Sequence, residues 1–510
     1  MFKGGRRKVD PVILAIALFN IAVRLLVYDN LEYHRDELLY LALGQHPDFG
    51  YATVPPLIGW ISWMLQHVFP DSLFAIRLFA SVLGGVLIFL AAAIARELGG
   101  SRYASILAAT GLTVSGFFMR TFFLFHPVHL EIFFWTLCLL MVIRYINTGR
   151  NSFLIYLGIA AGFALLNKYL AGLLFLGLLV IIPFTRYRNI FSNRFFWFGM
   201  IAGGLIFLPN LVWQAVHGFP VFNHISELYD TQLVHMNAGV YFTEQLFLPF
   251  VGSVFTVAGL IWLISSGEVR RFRFLGFLAL FVILALFLLK GKSYYTLSVM
   301  PLLIAAGAAA YDRWLRNRML RIAFPLAAII VAIPGVPAGL PVWDKEGLVT
   351  YFTVLDEKYG FDLGRRFEDG SIHSLPQDYA DMIGWEEFAS LADSAYRMIG
   401  DKRAALIYAE NYGQAGAVTI IGKKYGLPEP VSFHESFRYW FPREFPVEIK
   451  SLIYINHSLG EDVDSLFSNI RLIGRISDPD AREYGAGVYL CENPVTSFNE
   501  FWKERTAGLR

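Results

Sequence analysis

Charged side chains are scarce in this chain, so the few placed beside or inside apolar runs are the ones that could do chemistry. Arg35-Asp36-Glu37 follows Tyr33-His34 at the start of a long loop. A carboxylate in such a place can deprotonate a hydroxyl as a general base. The plainer reading is a solvated loop end, and the types alone do not say which of Asp36 and Glu37 would act. A second candidate is Glu131, in His126-Pro-Val-His129-Leu-Glu131, one turn into an apolar segment. An ionisable group there costs several kcal/mol unless it is paired or faces a cavity. Its place near a helix start offsets only about 0.3–1 kcal/mol of that. The cations are Lys168, between two apolar runs, and Lys290 and Lys292 in Lys290-Gly-Lys292-Ser-Tyr-Tyr295. Lysines at helix ends commonly just reach for water, and Tyr294-Tyr295 could be an interfacial aromatic belt. Lysines also suit a phosphate as point charges. Carboxylates with cations at membrane depth fit a lipid-borne phosphate substrate, and physics alone does not separate group transfer from transport.

The elements that must position these residues are mostly apolar helices. Hydrophobic residues make up 56% of the 510 and charged residues 16%, against about 25% charged in soluble chains. A net charge of +2 gives no sign of nucleic-acid binding. Two cysteines, Cys138 and Cys491, make neither a disulfide framework nor a metal cluster. Spanning helices need roughly 20 apolar residues. Eleven windows qualify, near 11–28, 72–95, 103–119, 127–146, 153–168, 170–184, 195–213, 245–265, 274–290, 294–310 and 320–340. The first is read as an uncleaved span rather than a signal peptide. No internal repeat is visible.

The Lys/Arg bias of short loops sets the orientation. With the N-terminus in the cytoplasm, the loops on that side carry eighteen basic residues, beginning with Lys3, Arg6, Arg7 and Lys8. The opposite loops and helix ends carry six: Arg35, Arg77, Arg120, Lys168, Lys290 and Lys292. The candidate residues therefore share the outer face. The loop after the first span, about 43 residues long, is too aromatic for disorder and is expected to form helices along the membrane surface. Residues 1–340 form the membrane domain, with Pro334, Pro337 and Pro341 at its exit. Residues 341–510 are expected to fold outside as a small α/β domain, with buried strands at 404–409, 452–455 and 488–491 and a helix at 414–425. Its aromatic and polar stretch from Ser432 to Trp440 suits either a sugar-binding surface or packing.

An ordered series of motifs resembles the bacterial branch of the protein O-mannosyltransferase and aminoarabinose transferase superfamily. The matching pieces are Tyr33-His-Arg-Asp-Glu37-Leu, Gly50-Tyr-Ala-Thr-Val-Pro-Pro-Leu57, Asp71-Ser-Leu-Phe-Ala-Ile-Arg77 and Ala95-Arg-Glu-Leu-Gly99. They continue with Leu165-Leu-Asn-Lys168-Tyr, Phe207-Leu-Pro-Asn-Leu-Val-Trp213 with His217-Gly-Phe-Pro220, Lys290-Gly-Lys-Ser-Tyr-Tyr295 and Glu410-Asn-Tyr-Gly-Gln-Ala-Gly416. The resemblance implies a mainly α, GT-C membrane bundle of about eleven helices with an external α/β domain. It implies an inverting glycosyltransferase that moves a sugar from a polyprenyl-phosphate carrier to a lipid, glycan or protein acceptor. The setting would be the outer face of a bacterial inner membrane. The essential acidic residue of the first external loop matches Asp36 or Glu37, with Asp36 expected as the base, and a second acidic position matches Glu131. Lys168 and Lys292 match basic positions that hold the donor phosphate, with Arg35, Lys290 and Tyr295 beside them. Tyr51, Pro55, His126 and His217 are expected to contact substrate. Where relatives carry an Asp-His or Asp-Gln pair before Pro-Pro, this chain has Thr53-Val54. Some relatives bind a divalent metal; His126, His129, His217 and Glu131 could supply ligands, but no spacing here demands one. The competing classes are a flippase for a lipid-linked substrate and a non-catalytic scaffold. Against the flippase stand the missing repeat and the absence of clearly broken midplane helices.

Overall fold

A computed structural model describes residues 9–231, 233, 237–362, 364–367 and 370–508. The basic cluster Lys3, Arg6, Arg7 and Lys8 lies outside the described residues. The chain forms two compact units. The first runs up to Tyr28 and adds Val54–Leu57 and Phe74–Val342; the second contains Asp29–Thr53, Ile58–Leu73 and the segment from Trp343 onward.

The first unit is helical, and its helices start where the sequence supplies caps. Asp10 accepts from the Val12 N–H at 3.1 Å, and Pro11 opens the helix Pro11–Leu25 where no N–H is needed. Among the described residues six helices are long and apolar enough to cross a membrane: Leu73–Glu97, Pro127–Thr148, Arg194–Val216, Arg270–Leu288, Ser293–Trp314 and Arg318–Gly339. Three apolar helices are shorter: Pro11–Leu25, Ser152–Asn167 and Ala171–Phe184. The chain is an integral, multi-pass membrane protein. All eleven expected windows are helical, but not all are whole spans. The window at 245–265 is split into Ala238–Phe247 and Gly252–Ser265, which meet at 102°. Pro249 lacks an N–H and Phe250 takes a φ of 52°, so the helix cannot run through. The window at 103–119 breaks after Arg102–Thr113; Ser115 turns its hydroxyl back to the Gly111 carbonyl at 2.8 Å, and a second helix starts at Gly116.

Lipid offers no hydrophobic drive for helix association, so close packing relies on small residues. Ser152–Asn167 and Arg194–Val216 meet through Gly158, Gly162, Gly199 and Gly203. A Cβ at Gly158 would lie 2.0 Å from the Gly199 carbonyl oxygen, and one at Gly203 would lie 2.3 Å from that of Gly158.

The second unit holds a four-stranded sheet: β1 (Ala405–Ala409), β2 (Ser451–Asn456), β3 (Phe467–Arg475) and β4 (Gly487–Pro494), in the order β1-β2-β4-β3. β1 and β2 are parallel, and the other two pairs are antiparallel. The three expected strands are present. β3 is an addition: an edge strand whose exposed residues, Arg471 and Arg475 among them, hide the apolar run that marks the others. The expected helix at 414–425 is Tyr412–Ile420 followed by a short 3₁₀ turn, Gly422–Tyr425.

The helices Arg35–Gln45 and, from Ile58, Leu57–Val68 belong to this second unit. Apart from Val54–Leu57, the first long loop therefore folds with the C-terminal segment. The reason is apolar content. Residues from Glu37 to Gly44 are all buried. Arg35–Gln45 packs against Tyr412–Ile420, where a Cβ on Gly416 would stand 2.8 Å from that of Leu38.

Candidate active site

Two clusters of functional side chains emerge, one in each unit. In the second unit the cluster is built on the start of Arg35–Gln45. His34 caps that helix, its Nδ1 accepting the Asp36 N–H at 3.1 Å, while Glu37 accepts the His34 N–H at 2.9 Å. This reciprocal box satisfies two orphan donors. Glu37 is fully buried and serves the helix start. Asp36 is half-buried, and its Oδ1 accepts a hydrogen bond from the Tyr412 hydroxyl at 2.7 Å. Among the described residues its Oδ2 takes no hydrogen bond. The two carboxylates that the sequence leaves equivalent are thus separated by environment.

Charges of both signs surround Asp36. The Arg35 guanidinium lies 4.3 Å from the centre of the Tyr412 ring. Its backbone N–H donates to the Asp381 carbonyl at 2.9 Å. The Asp381 carboxylate lies 3.5 Å from Arg482 and 3.9 Å from His34. Burial pushes the Asp381 carboxyl up to about 6, although Arg482, His34 and Arg35 pull it the other way. Glu483 goes the opposite direction. Burial raises it, but His457 at 3.3 Å, the Arg35 charge and Gln414 at 2.8 Å outweigh that and hold it below the usual range. Burial lifts the Tyr412 hydroxyl well above its ordinary value, and the Asp36 charge adds to the effect, so Tyr412 stays a hydrogen-bond donor.

In the first unit the cluster is built where three helical segments meet. Glu131 is 1% exposed, and its carboxylate lies 2.9 Å from the Lys168 ammonium. The cost of burying that carboxylate is thereby met with a partner. Lys168 ends the helix Ser152–Asn167 in an extended conformation. Its ammonium stands 4.5 Å from the ring centre of Tyr295 and 5.9 Å from that of Tyr294. Asn167 donates to the Pro127 carbonyl at 2.9 Å, which ties the Lys168 end to the Glu131 helix. Tyr169 donates to Asn210 and accepts from Gln214, each at 2.9 Å. The motifs around residues 131, 168, 210 and 295 therefore converge.

Lys290 lies 5.0 Å from the ring centre of Tyr229. Lys292 caps the 3₁₀ segment Ser293–Val299 and is half-buried. His126 caps the helix Pro127–Thr148. His217 stacks on Trp213 at 3.9 Å between ring centres. Tyr51 is buried, and its hydroxyl donates to the Leu43 carbonyl at 3.0 Å, bracing the end of Arg35–Gln45. Pro55 is buried in the first unit. Among the described residues no three His, Cys, Asp or Glu side chains come together as metal ligands. His126, His129, His217 and Glu131 are not gathered as a metal-binding set. Tyr412, Asp381, Arg482 and Glu483 were not singled out by type or spacing. The motif around Tyr412 was the available signal.

A family model described as dolichyl-phosphate-mannose-protein mannosyltransferase matches residues 53–213. The lipid A galacturonosyltransferase RgtD of Rhizobium johnstonii is 26% identical over 226 residues, which span 42% of this chain and 45% of that protein. The chain thus matches less than half the length of that curated relative. The crystal structure of ArnT from Cupriavidus metallidurans bound to undecaprenyl phosphate aligns with 94% of this chain and 97% of that one, with a TM-score of 0.62 at 14% identity. The apo form aligns over the same shares with a TM-score of 0.57 at 15% identity. The chain has the GT-C fold of ArnT, and its residues 53–213 carry the protein mannosyltransferase pattern.

Proposed function

We propose that this protein is an inverting glycosyltransferase that moves a sugar from a polyprenyl-phosphate carrier to an acceptor hydroxyl. The acceptor class is a lipid, a glycan or a protein, and RgtD's lipid A specificity favours a lipid. The working place is the outer face of a bacterial inner membrane, with the N-terminus cytoplasmic and the C-terminal segment outside. The observation that carries the reading is the ArnT-like fold over 94% of the chain, together with a half-buried Asp36 whose Oδ2 takes no hydrogen bond among the described residues.

In this reaction the acceptor oxygen attacks the anomeric carbon. The bond from that carbon to the carrier phosphate oxygen breaks, and polyprenyl phosphate leaves with the electron pair. The acceptor proton passes to Asp36 as general base. A cation beside the leaving phosphate stabilises the charge that develops there. Lys168 and Lys292 are the first unit's candidates for that cation, and Glu131 holds the Lys168 ammonium at 2.9 Å. Glu37 supports the helix that presents Asp36.

The deciding experiment follows a radiolabelled polyprenyl-phosphate sugar in membranes carrying the full chain or Asp36→Asn at equal folded yield. Label reaching an acceptor only with the wild type supports the reading. Label that crosses the bilayer on an unchanged carrier would make the protein a transporter and sink the reading.

A further inference from the structure

Tyr412 is the first residue of the helix Tyr412–Ile420, which Asn411 caps by accepting the N–H groups of Gly413 and Gln414 at 2.9 and 3.1 Å. The close approach of Gly416 to Leu38 holds this helix against Arg35–Gln45. The Tyr412 ring is fixed in turn. The Arg35 guanidinium lies 4.3 Å from its centre, and the His434 imidazole is stacked on it at 5.3 Å with 7° between the planes. A phenol held in this way has little freedom to turn, and its hydroxyl meets Asp36 Oδ1 at 2.7 Å.

A hydrogen bond from a neutral donor to a carboxylate is charge-assisted, short and directional. It selects one rotamer of the aspartate and leaves the other oxygen to face a reacting group. A base works only if that oxygen is held near the proton it must take, and small misplacements cost large factors in rate. Ionisable neighbours on the surrounding elements are Arg35 and Glu37 on the aspartate's own helix, with His34, Asp381, Glu483 and Arg482. Among the described residues none of their side chains hydrogen-bonds the Asp36 carboxylate.

We propose that Tyr412 is a positioning residue for the transfer reaction, fixing the Asp36 carboxylate so that Oδ2 receives the acceptor proton; this rests on the reading of Asp36 as the base. The C-terminal segment then contributes to the chemistry.

The test compares kcat and KM for the acceptor in four full-length proteins in membranes: wild type, Tyr412→Phe, Asp36→Asn and the double variant. Tyr412→Phe keeps the ring and its contacts with Arg35 and His434 and deletes only the hydroxyl. The expected result is a fall in kcat of about tenfold, the scale of one charge-assisted hydrogen bond, with KM and folded yield unchanged. In the Asp36→Asn background the same substitution should cost nothing further, because the carboxylate it acts through is gone. Full kcat in Tyr412→Phe beside an inactive Asp36→Asn overturns the positioning role and leaves the base in place. An equal loss in both backgrounds, or a loss matched by folded yield, assigns Tyr412 to structure alone and also overturns it. Full transfer by Asp36→Asn removes the base reading itself and this inference with it.

Discussion

Asp36 and Glu37 are adjacent in sequence and differ by one methylene, yet the fold gives them different work. Asp36→Asn should lower transfer about 10²- to 10⁴-fold, the usual contribution of a general base, at unchanged folded yield. Glu37→Gln should instead act on stability, since it weakens a buried capping box worth about 1 kcal/mol, and should keep most of the transfer. Activity per folded molecule in membranes separates the two. The same logic applies to Glu131 and Lys168. Lys168→Met strands a buried carboxylate, a change that typically costs about 3–5 kcal/mol, and should lower the unfolding midpoint sharply. Adding Glu131→Gln should restore the midpoint but not transfer, because the cation proposed for the phosphate is still missing. Asp381 makes a prediction about pH. Its carboxyl lies near 6 when folded against 3.8 unfolded, so the folded state holds the proton more tightly. The stability this contributes is complete below about 4 and is lost as pH rises through 6, by roughly 3 kcal/mol. Asp381→Asn should therefore flatten the fall in unfolding midpoint between about pH 4 and pH 7; an unchanged slope would remove Asp381 as its cause. The acidic pair, Glu131 and Lys168 were visible in the sequence because charge is rare there. Tyr412 stood out only through its motif, because its contact with Asp36 spans 376 residues of sequence.

Helices were easy to read where apolar residues run on and hard where the backbone breaks. Pro249 alone did not stop a hydrophobic window from spanning the bend between Ala238–Phe247 and Gly252–Ser265. Hydropathy sums composition and ignores backbone direction, so a 102° turn leaves no trace in it. β3 was missed for the converse reason: an edge strand with exposed Arg471 and Arg475 lacks the apolar signature of its neighbours. The glycines spaced four apart in Ser152–Asn167 and Arg194–Val216 let two backbones touch, and this contact makes its own prediction. A side chain at Gly203 must displace the Gly158 carbonyl, which a Cβ would approach to 2.3 Å. Gly203→Leu should cost about 1–3 kcal/mol, the range for overpacking. Gly204→Leu, where a Cβ meets nothing within 4 Å, should be close to neutral. Unfolding in detergent measures both, and equal midpoints would refute the close packing of these two helices.

At the scale of the whole molecule the first unit carries a surface that only lipid suits. Leu205, Ile330 and Leu288 are 62%, 64% and 78% exposed on its helices. The number of crossings is less legible. A helix such as Pro11–Leu25, with 15 residues, is about 22 Å long, short of the roughly 30 Å hydrocarbon core. Six long helices, a bent pair and three short ones therefore do not translate directly into eleven spans. The charge bias gives a sharper handle than the count. Ser192 lies in the loop that holds Arg186, Arg188 and Arg194, and Ser458 follows β2 in the second unit; both are exposed. Cys138 and Cys491 are buried, so they leave a quiet background for thiol labelling. If the basic loops face the cytoplasm, a membrane-impermeant maleimide should label Ser458→Cys in cells with a permeable outer envelope and an intact inner membrane. Ser192→Cys should react only after the inner membrane is opened. Labelling of both from the same side would place the basic loops and the C-terminal segment together. The number of crossings between them would then be even, and a base in the second unit could not meet an acceptor across the membrane from those loops.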